Sequence, residues 1–317
     1  MTATDNTVSG YHNHNEKAKT MNRKTYELMQ HKSEGNSGST RCRIAASSGN
    51  KPRYPIYIVT YDRRNNLTEA ALDRGGMKWR TVRKGGDEPG RRHNVKGLIE
   101  ELRIRDETLS GIKQRNHALE HAQKEGRRYA WILDDNIRRF RCFKDGMRPE
   151  IGSDGLWLIE QMAALVTDVG IAGPQYTNNV RGSSTMPYVR ANRSIYSAML
   201  IRTDLRFRGE YNEDVDICLQ AMTKGLGTFR TNCVTIEKTA TGRSKGGNEK
   251  LYSGWGAIRK TVAIRRQWPD AISIHHKYGR YSHQVNWDAV PDPQMIERAS
   301  TSKIYNDYIN TKKIVSK

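Results

Sequence analysis

Two acidic groups have the residue types and spacing that chemistry would need. Asp134 and Asp135 stand side by side at the end of the apolar run RYAWIL, and Glu213, Asp214 and Asp216 open the stretch EDVDICLQAMTKGLG. A carboxylate withdrawn from water is costly unless a cation or metal offsets it, and two adjacent ones also repel. A hard divalent cation such as Mg²⁺ or Mn²⁺ takes oxygen ligands of this kind and can neutralise a diphosphate. The ordinary alternatives are acids that favour a helix macrodipole and a strand-end Asp that merely caps its neighbour. Arg138, Arg139 and Arg141 follow the first pair at once, so an anion alongside would be well met.

The elements that would position these acids alternate. YPIYIVT (54–60) is a β-rich run bounded by proline and a polar loop, LTEAALDRGG reads as a helix and MKWRTV as a short strand. KGGDEPGRRHNVKG reads as an irregular loop. SGIKQRNHALEHAQKEG (110–126) has Ile112, Ala118, Leu119 and Ala122 on one helical face and closes on Gly126. RYAWIL lacks alternation, which predicts a strand buried on both faces. A helix over GLWLIEQMAALVTDVG, strands at IAGPQ and SIYSAMLIRT, a helix at EDVDICLQAMTKGLG and a strand at TFRTNCVTIEK follow, then a helix around Trp255–Trp268 and a polar tail. Alternation of this kind predicts an α/β layered fold with a mostly parallel sheet, where ligands gather beyond the carboxyl ends of the strands. Residues 1–50 read as a flexible polar arm with a short helix near Lys24–Gln30, residues 51–290 as the α/β domain and 291–317 as a C-terminal tail.

Composition narrows the partner. The chain has 317 residues, 54 Lys and Arg against 34 Asp and Glu, and a formal charge of +20, which favours a polyanion. Its four cysteines form no CxxC or Cys/His ladder, so neither disulfides nor structural zinc are expected. No apolar run approaches a membrane span, which points to a cytoplasmic protein.

The order of these segments resembles GT-A nucleotide-sugar glycosyltransferases. More narrowly, YPIYIVTYDR, KQRNHALEHA, YAWILDDNIRRF and YNEDVDICLQAMTKG are similar to the TET/JBP-associated glycosyltransferases, encoded largely by bacteriophages and by organisms with hypermodified pyrimidines. The resemblance spans residues 54–290 and implies a GT-A-like nucleotide-sugar-binding fold. It places Thr60 and Arg63 at the turn facing the nucleotide, and Arg115 and Asn116 near the base and diphosphate. Asp134 falls on the ribose or metal, and Asp135 on a Mn²⁺ or Mg²⁺ ion carrying a UDP-sugar. Asn136 stands in the third position of that motif, where an amide oxygen ligates more weakly than a carboxylate. Asp214 matches the base that removes the acceptor proton, with Glu213 beside it. A late histidine often completes the metal set in this fold, and His275, His276 and His283 are the candidates.

The implied acceptor is DNA containing a 5-hydroxymethylpyrimidine, with a host-cytoplasmic location if the gene is phage-borne. Three basic segments would meet it: IRRFRCFK with Arg138, Arg139 and Arg141; KGGDEPGRRHNVK; and TGRSKGGNEK with Arg243 and Lys245. Phe140, Phe143, Tyr252 and Trp255 would offer stacking surfaces, and a base inside a duplex would have to be flipped. Two other classes fit part of the pattern: a GT-A enzyme building a surface saccharide, which leaves the charge unexplained, and a non-catalytic DNA-binding protein, which leaves Asp134 and Asp135 unexplained.

Overall fold

The structure is a computed structural model. It describes residues 18–24, 28–30, 42–44, 50–61, 66–85, 96–105, 108, 110–152, 154–180, 185–239, 256–277 and 279–316. Among these, the strands are β1 (Lys19–Met21), β2 (Leu28–Gln30), β3 (Cys42–Ile44), β4 (Ile56–Val59), β5 (Trp79–Lys84), β6 (Leu98–Ile104), β7 (Tyr129–Asp134), β8 (Ile137–Cys142), β9 (Val169–Tyr176), β10 (Thr185–Pro187), β11 (Val189–Ala191), β12 (Ala198–Arg202), β13 (Gly227–Lys238), β14 (Ile272–Lys277), β15 (Arg280–Val285), β16 (Met295–Glu297) and β17 (Ile314–Ser316). The helices are α1 (Leu67–Arg74), α2 (Ile112–Lys124), α3 (Asp154–Ala164), α4 (Glu213–Thr223), α5 (Gly256–Gln267) and α6 (Thr301–Asn310).

A nine-stranded sheet carries the site, in the order β11-β13-β9-β12-β7-β4-β5-β6 with β8 also on β13. β6, β5, β4, β7, β9 and β13 run one way, while β12, β11 and β8 run against them. The fold is the expected α/β layering with a mostly parallel sheet. Pleating sorts the core: Ile56 and Ile58 of β4 point to one face, Tyr57 and Val59 to the other. On the first face Trp131, Leu133 and Phe229 pack with Leu72 of α1, Leu156, Ile159 and Met162 of α3, and Tyr305 and Ile309 of α6. On the second, Ile132, Ile171 and Ile201 pack with Leu119 of α2 and Ile217 and Ala221 of α4. The outer side of α4 buries Val215, Leu219 and Met222 against Ile264 of α5 and Ile272 of β14. None of these helices is long and apolar enough to cross a membrane.

The ends of the chain depart from the reading of a free arm and tail. β1 pairs with β16, β2 with β10, and β3 with β17, all antiparallel, so Leu28–Gln30 is strand rather than helix. The C-terminal segment carries alternating and helical apolar residues spaced too sparsely to stand out among polar ones, yet Met295 and Tyr305 are buried. Tyr305 explains the docking of α6: its hydroxyl donates to the carbonyl of Phe143 and accepts from the Phe143 N–H at 2.9 Å. Tyr308 donates to Asp154 Oδ2 at the start of α3. The basic run at Ile137–Cys142 is likewise a strand of the sheet, and Ile272–Val285 is a hairpin.

Tyr305→Phe should remove both hydrogen bonds of the hydroxyl to the Phe143 backbone, leaving the N–H its bond to the Cys233 carbonyl at 3.2 Å, at a cost of about 1–3 kcal/mol. Denaturant unfolding of the full chain measures this, and a free tail would show no change.

Candidate active site

The parallel strands end together, and the acids stand at those ends. β7 delivers Asp134 and Asp135, β4 runs out into Thr60, β9 ends at Tyr176 and β13 at Lys238. β12 runs the other way, so its beginning, Ser197, reaches the same edge; the Asp134 N–H donates to the Ser197 carbonyl at 2.8 Å. The start of α2 contributes Arg115 and the first turn of α4 contributes Glu213 and Asp214.

Arg115 ties the two acidic groups together. Its Nη2 lies 2.7 Å from Asp134 Oδ1 and 3.3 Å from Glu213 Oε1, and its guanidinium stands 5.8 Å from the centre of the Phe207 ring. Residue 111 opens α2, and a Cβ there would collide with the Arg115 guanidinium, so glycine clears its place. Gln114, one residue earlier on α2, donates to the carbonyls of Thr60 (2.7 Å) and Val82 (3.1 Å), pinning the helix start to β4 and β5. Asp134 also meets Lys238, whose Nζ is 3.6 Å from Oδ2. Burial pulls the Asp134 carboxyl upward, but Arg115 and Lys238, with a hydrogen bond from Ser197, outweigh it and hold it below its ordinary 3.8. Asp135 is buried, and its Oδ2 accepts from Thr60 Oγ1 at 2.7 Å. Its carbonyl accepts from the N–H groups of Leu67 (3.0 Å) and Thr68 (3.4 Å) at the start of α1.

Asp214 behaves oppositely. Burial, Glu213 and Asp134 push its carboxyl up to about 7, against the pull of Arg115 and Lys238. Tyr176 stands beside it: burial and the Asp214 and Asp134 charges hold its phenol well above the ordinary 10. Asp134, Glu213 and Asp214 therefore form one cluster around Arg115 and Lys238, while the Asp135 carboxylate next to it in sequence meets Thr60. Asp134 retains 25% of its side-chain exposure, so the cluster opens to solvent. Among the described residues no group of three or more acidic, histidine or cysteine side chains is placed to hold a metal ion. Asn136 Oδ1, next to Asp135, is buried with no hydrogen-bond partner among the described residues.

Several expected site residues serve the scaffold instead. Asn116 spends both ends of its amide on the backbone of Phe207, donating to its carbonyl at 2.9 Å and accepting from its N–H at 2.8 Å; it clips the loop before α4 and does not face the cluster. Arg141 is buried, with Nη2 2.8 Å from Glu237 Oε2 and Nη1 donating to the Arg148 carbonyl at 2.7 Å. Arg139 reaches Glu237 at 3.2 Å and Glu150 at 3.6 Å. Only Arg138 of that trio is exposed, because Arg139 and Arg141, two positions apart on β8, are both drawn to Glu237. Phe140 and Phe143 are core residues. Asp216 is fully buried under Arg208 (3.0 Å), Gln220 (2.7 Å) and Trp268 (2.7 Å), so it anchors the segment around α5. His275, His276 and His283 belong to the β14-β15 hairpin, where His275 meets Ser273 at 2.8 Å and His276 packs on Tyr281. Arg63, Arg243, Lys245, Tyr252 and Trp255 lie outside the described residues.

Sequence reasoning passed over Lys238, Ser197 and Tyr176. The signal available for Lys238 was its place as the last residue of the strand after the Glu213-Asp214 helix; for Ser197 no sequence signal exists, since its position depends on β12 running backwards.

The sequence model of the TET-Associated Glycosyltransferase family matches residues 100–247. Over that segment, just under half of its length, the chain is similar to this family. The match takes in Arg115, Asp134, Asp135, Glu213, Asp214 and Lys238, while β4, β5 and Thr60 lie before it. No curated protein matches the chain. Similarity to a glycosyltransferase family accords with a cluster that combines strand-end acids, a bridging arginine and a carboxyl pushed up to about 7.

Arg115→Met should strip the shared cation from Asp134 and Glu213 and destabilise the protein by about 3 kcal/mol at pH 7. The Asp134 pairing exists above its unfolded value of 3.8 and is lost as pH falls through its lower folded value. The penalty should therefore shrink below about pH 4, as urea unfolding at pH 7 and pH 3.5 would measure.

Proposed function

We propose that this protein transfers a sugar from a nucleoside diphosphate sugar, a UDP-sugar, to the hydroxyl of a 5-hydroxymethylpyrimidine in DNA. The observation that carries the reading is the convergence of Asp214, with its carboxyl pushed up to about 7, on the strand-end cluster of Asp134, Glu213, Arg115 and Lys238. A general base works best when its proton affinity lies near the working pH. In this reading Asp214 takes the proton of the acceptor hydroxyl as its oxygen bonds to the anomeric carbon. The bond from that carbon to the diphosphate breaks, and its electron pair leaves with the diphosphate. Glu213, tied to Arg115, keeps negative charge beside Asp214 and so sustains its basicity.

Asp135 and Asn136 would hold a divalent cation, Mn²⁺ or Mg²⁺, with Asp134 at its border. Such an ion, when bound, neutralises the diphosphate and lets an anion enter an acidic cleft. Thr60 keeps the Asp135 carboxylate oriented, and Arg115 keeps Asp134 ionised. The similarity of residues 100–247 to that family and the charge of +20 support a DNA acceptor. Of the basic residues that follow the Asp pair, Arg138 is the one exposed to meet a phosphate.

Two outcomes test this. Incubation with DNA containing 5-hydroxymethylcytosine or 5-hydroxymethyluracil, a panel of UDP-sugars and Mn²⁺ should add a sugar mass to the modified nucleoside alone. Equal labelling of plain DNA, or labelling only of a free saccharide, would reject the DNA reading. Asp214→Asn should lower transfer by about 10²–10⁴-fold. Since Asp214 is a base only when deprotonated, kcat/KM of the native protein should rise with pH through about 7, and a flat profile from pH 5 to 9 would remove Asp214 from that role.

A further inference from the structure

Lys238 is held in the cleft by more than its charge requires. Its Nζ donates to Ser197 Oγ at 2.8 Å and to Tyr176 OH at 3.4 Å, and lies 5.2 Å from the centre of the Tyr176 ring. Its side chain is 19% exposed, so the ammonium is folded back among these groups and not released to water. Ser197 adopts a left-handed φ of 61°, a conformation that a non-glycine residue holds only at a cost of about 1–3 kcal/mol. The Ala198 N–H closes a tight turn onto the Tyr196 carbonyl at 2.6 Å. That turn gives Ser197 two tasks at once, its carbonyl accepting from Asp134 and its hydroxyl meeting Lys238.

Asp134 does not need Lys238 for neutrality. Arg115 already contacts it at 2.7 Å, within the range of a charge-assisted hydrogen bond, whereas Lys238 stands off at 3.6 Å. An ammonium has three N–H directions, and Ser197 and Tyr176 take two. The third faces the Asp134 side of the cleft, where a diphosphate would lie. The strand-end position beside the Asp pair is thus filled by a group that, while protonated, cannot ligate a metal, and the late histidines lie on the separate β14-β15 hairpin.

We propose that Lys238 is a catalytic residue of the sugar transfer, its ammonium binding a non-bridging oxygen of the donor diphosphate and stabilising the charge that arrives there as the anomeric C–O bond breaks. This rests on the reading of the cluster as a nucleotide-sugar site. Lys238 donates no proton in the step: the bond's electron pair goes to the diphosphate, the acceptor proton goes to Asp214, and Lys238 remains an ammonium. Asp134 stays paired with Arg115 when Lys238 turns to the donor. Part of the diphosphate affinity is therefore supplied by the chain itself, without a metal.

Calorimetry with UDP and uridine in EDTA tests the binding claim apart from turnover. The native protein should bind UDP more tightly than uridine in EDTA. Lys238→Ala should abolish that preference, Lys238→Arg should keep part of it, and Lys238→Met, which retains the stem over Tyr176, replaces the alanine variant if that one fails to fold. In Mn²⁺, loss of the ammonium should lower kcat by about 10²-fold, as for removal of one preorganised donor, with less effect on KM for DNA. A native protein with no UDP preference in EDTA, or a Lys238→Met variant with undiminished preference or kcat, overturns the proposal. A preference that depends on Lys238 in a protein that transfers no sugar would instead uphold the diphosphate contact and reject the transferase reading.

Discussion

Three carboxylates, Asp134, Glu213 and Asp214, held at one edge of a sheet against Arg115 and Lys238 form the constraint on which the rest depends. Arg115 and Lys238 make Asp134 more acidic than a free aspartate, while the same charges, seen from Asp214 through burial and Glu213, leave that carboxyl close to half-protonated near neutral pH. Two aspartates within one cluster are thereby driven apart in proton affinity. One is held on the ionised side of its ordinary range and the other takes up a proton near neutrality. Environment makes that division, because the two side chains are chemically identical.

The sheet makes the cluster possible. Parallel strands bring their last residues to one edge, helix starts project N–H dipoles and side chains toward it, and the reversed β12 adds a strand beginning there. Each contributor has its own fastening. Gln114 locks α2 to β4 and β5, Asn116 clips the loop ahead of α4, and Asp216 binds α4 to Arg208 and Trp268. Asn116 and Asp216 stand next to functional residues and resemble them in type, but every polar atom that defines them is turned to the scaffold.

The strongly basic composition divides between structure and surface. Glu237 absorbs Arg139 and Arg141, and those arginines, after burial has pulled the other way, hold its carboxyl below the ordinary value. Burying Arg141 this way lets β8 join the sheet beyond the acidic turn, so Asp135 and Asn136 sit in a link between two strands with little freedom to move. Rigid placement of this kind is what electrostatic catalysis asks of a site, since donors that are already oriented need no reorganisation when charge develops.

By itself the sequence determined the α/β alternation, the two-faced burial of β7 and the pairing of strand-end acids with a later Glu-Asp helix, because those features are local: apolar periodicity and residue type suffice to read them. Asp134, Asp135, Glu213 and Asp214 were legible as acids in that way, Arg115 as the opening of a helix and Thr60 from the family resemblance; the structure joins Asp134, Glu213 and Asp214 through Arg115 and pairs Asp135 with Thr60. Tertiary structure alone decided which charges remain available. Arg139, Arg141, Asn116 and Asp216 are consumed by partners 4 to 98 positions away, and Lys238, Ser197 and Tyr176 enter the site from strands whose order in the sheet differs from their order in the chain. Strand order and direction are long-range properties set by packing on both faces, and a polar side chain's role follows from who meets it there.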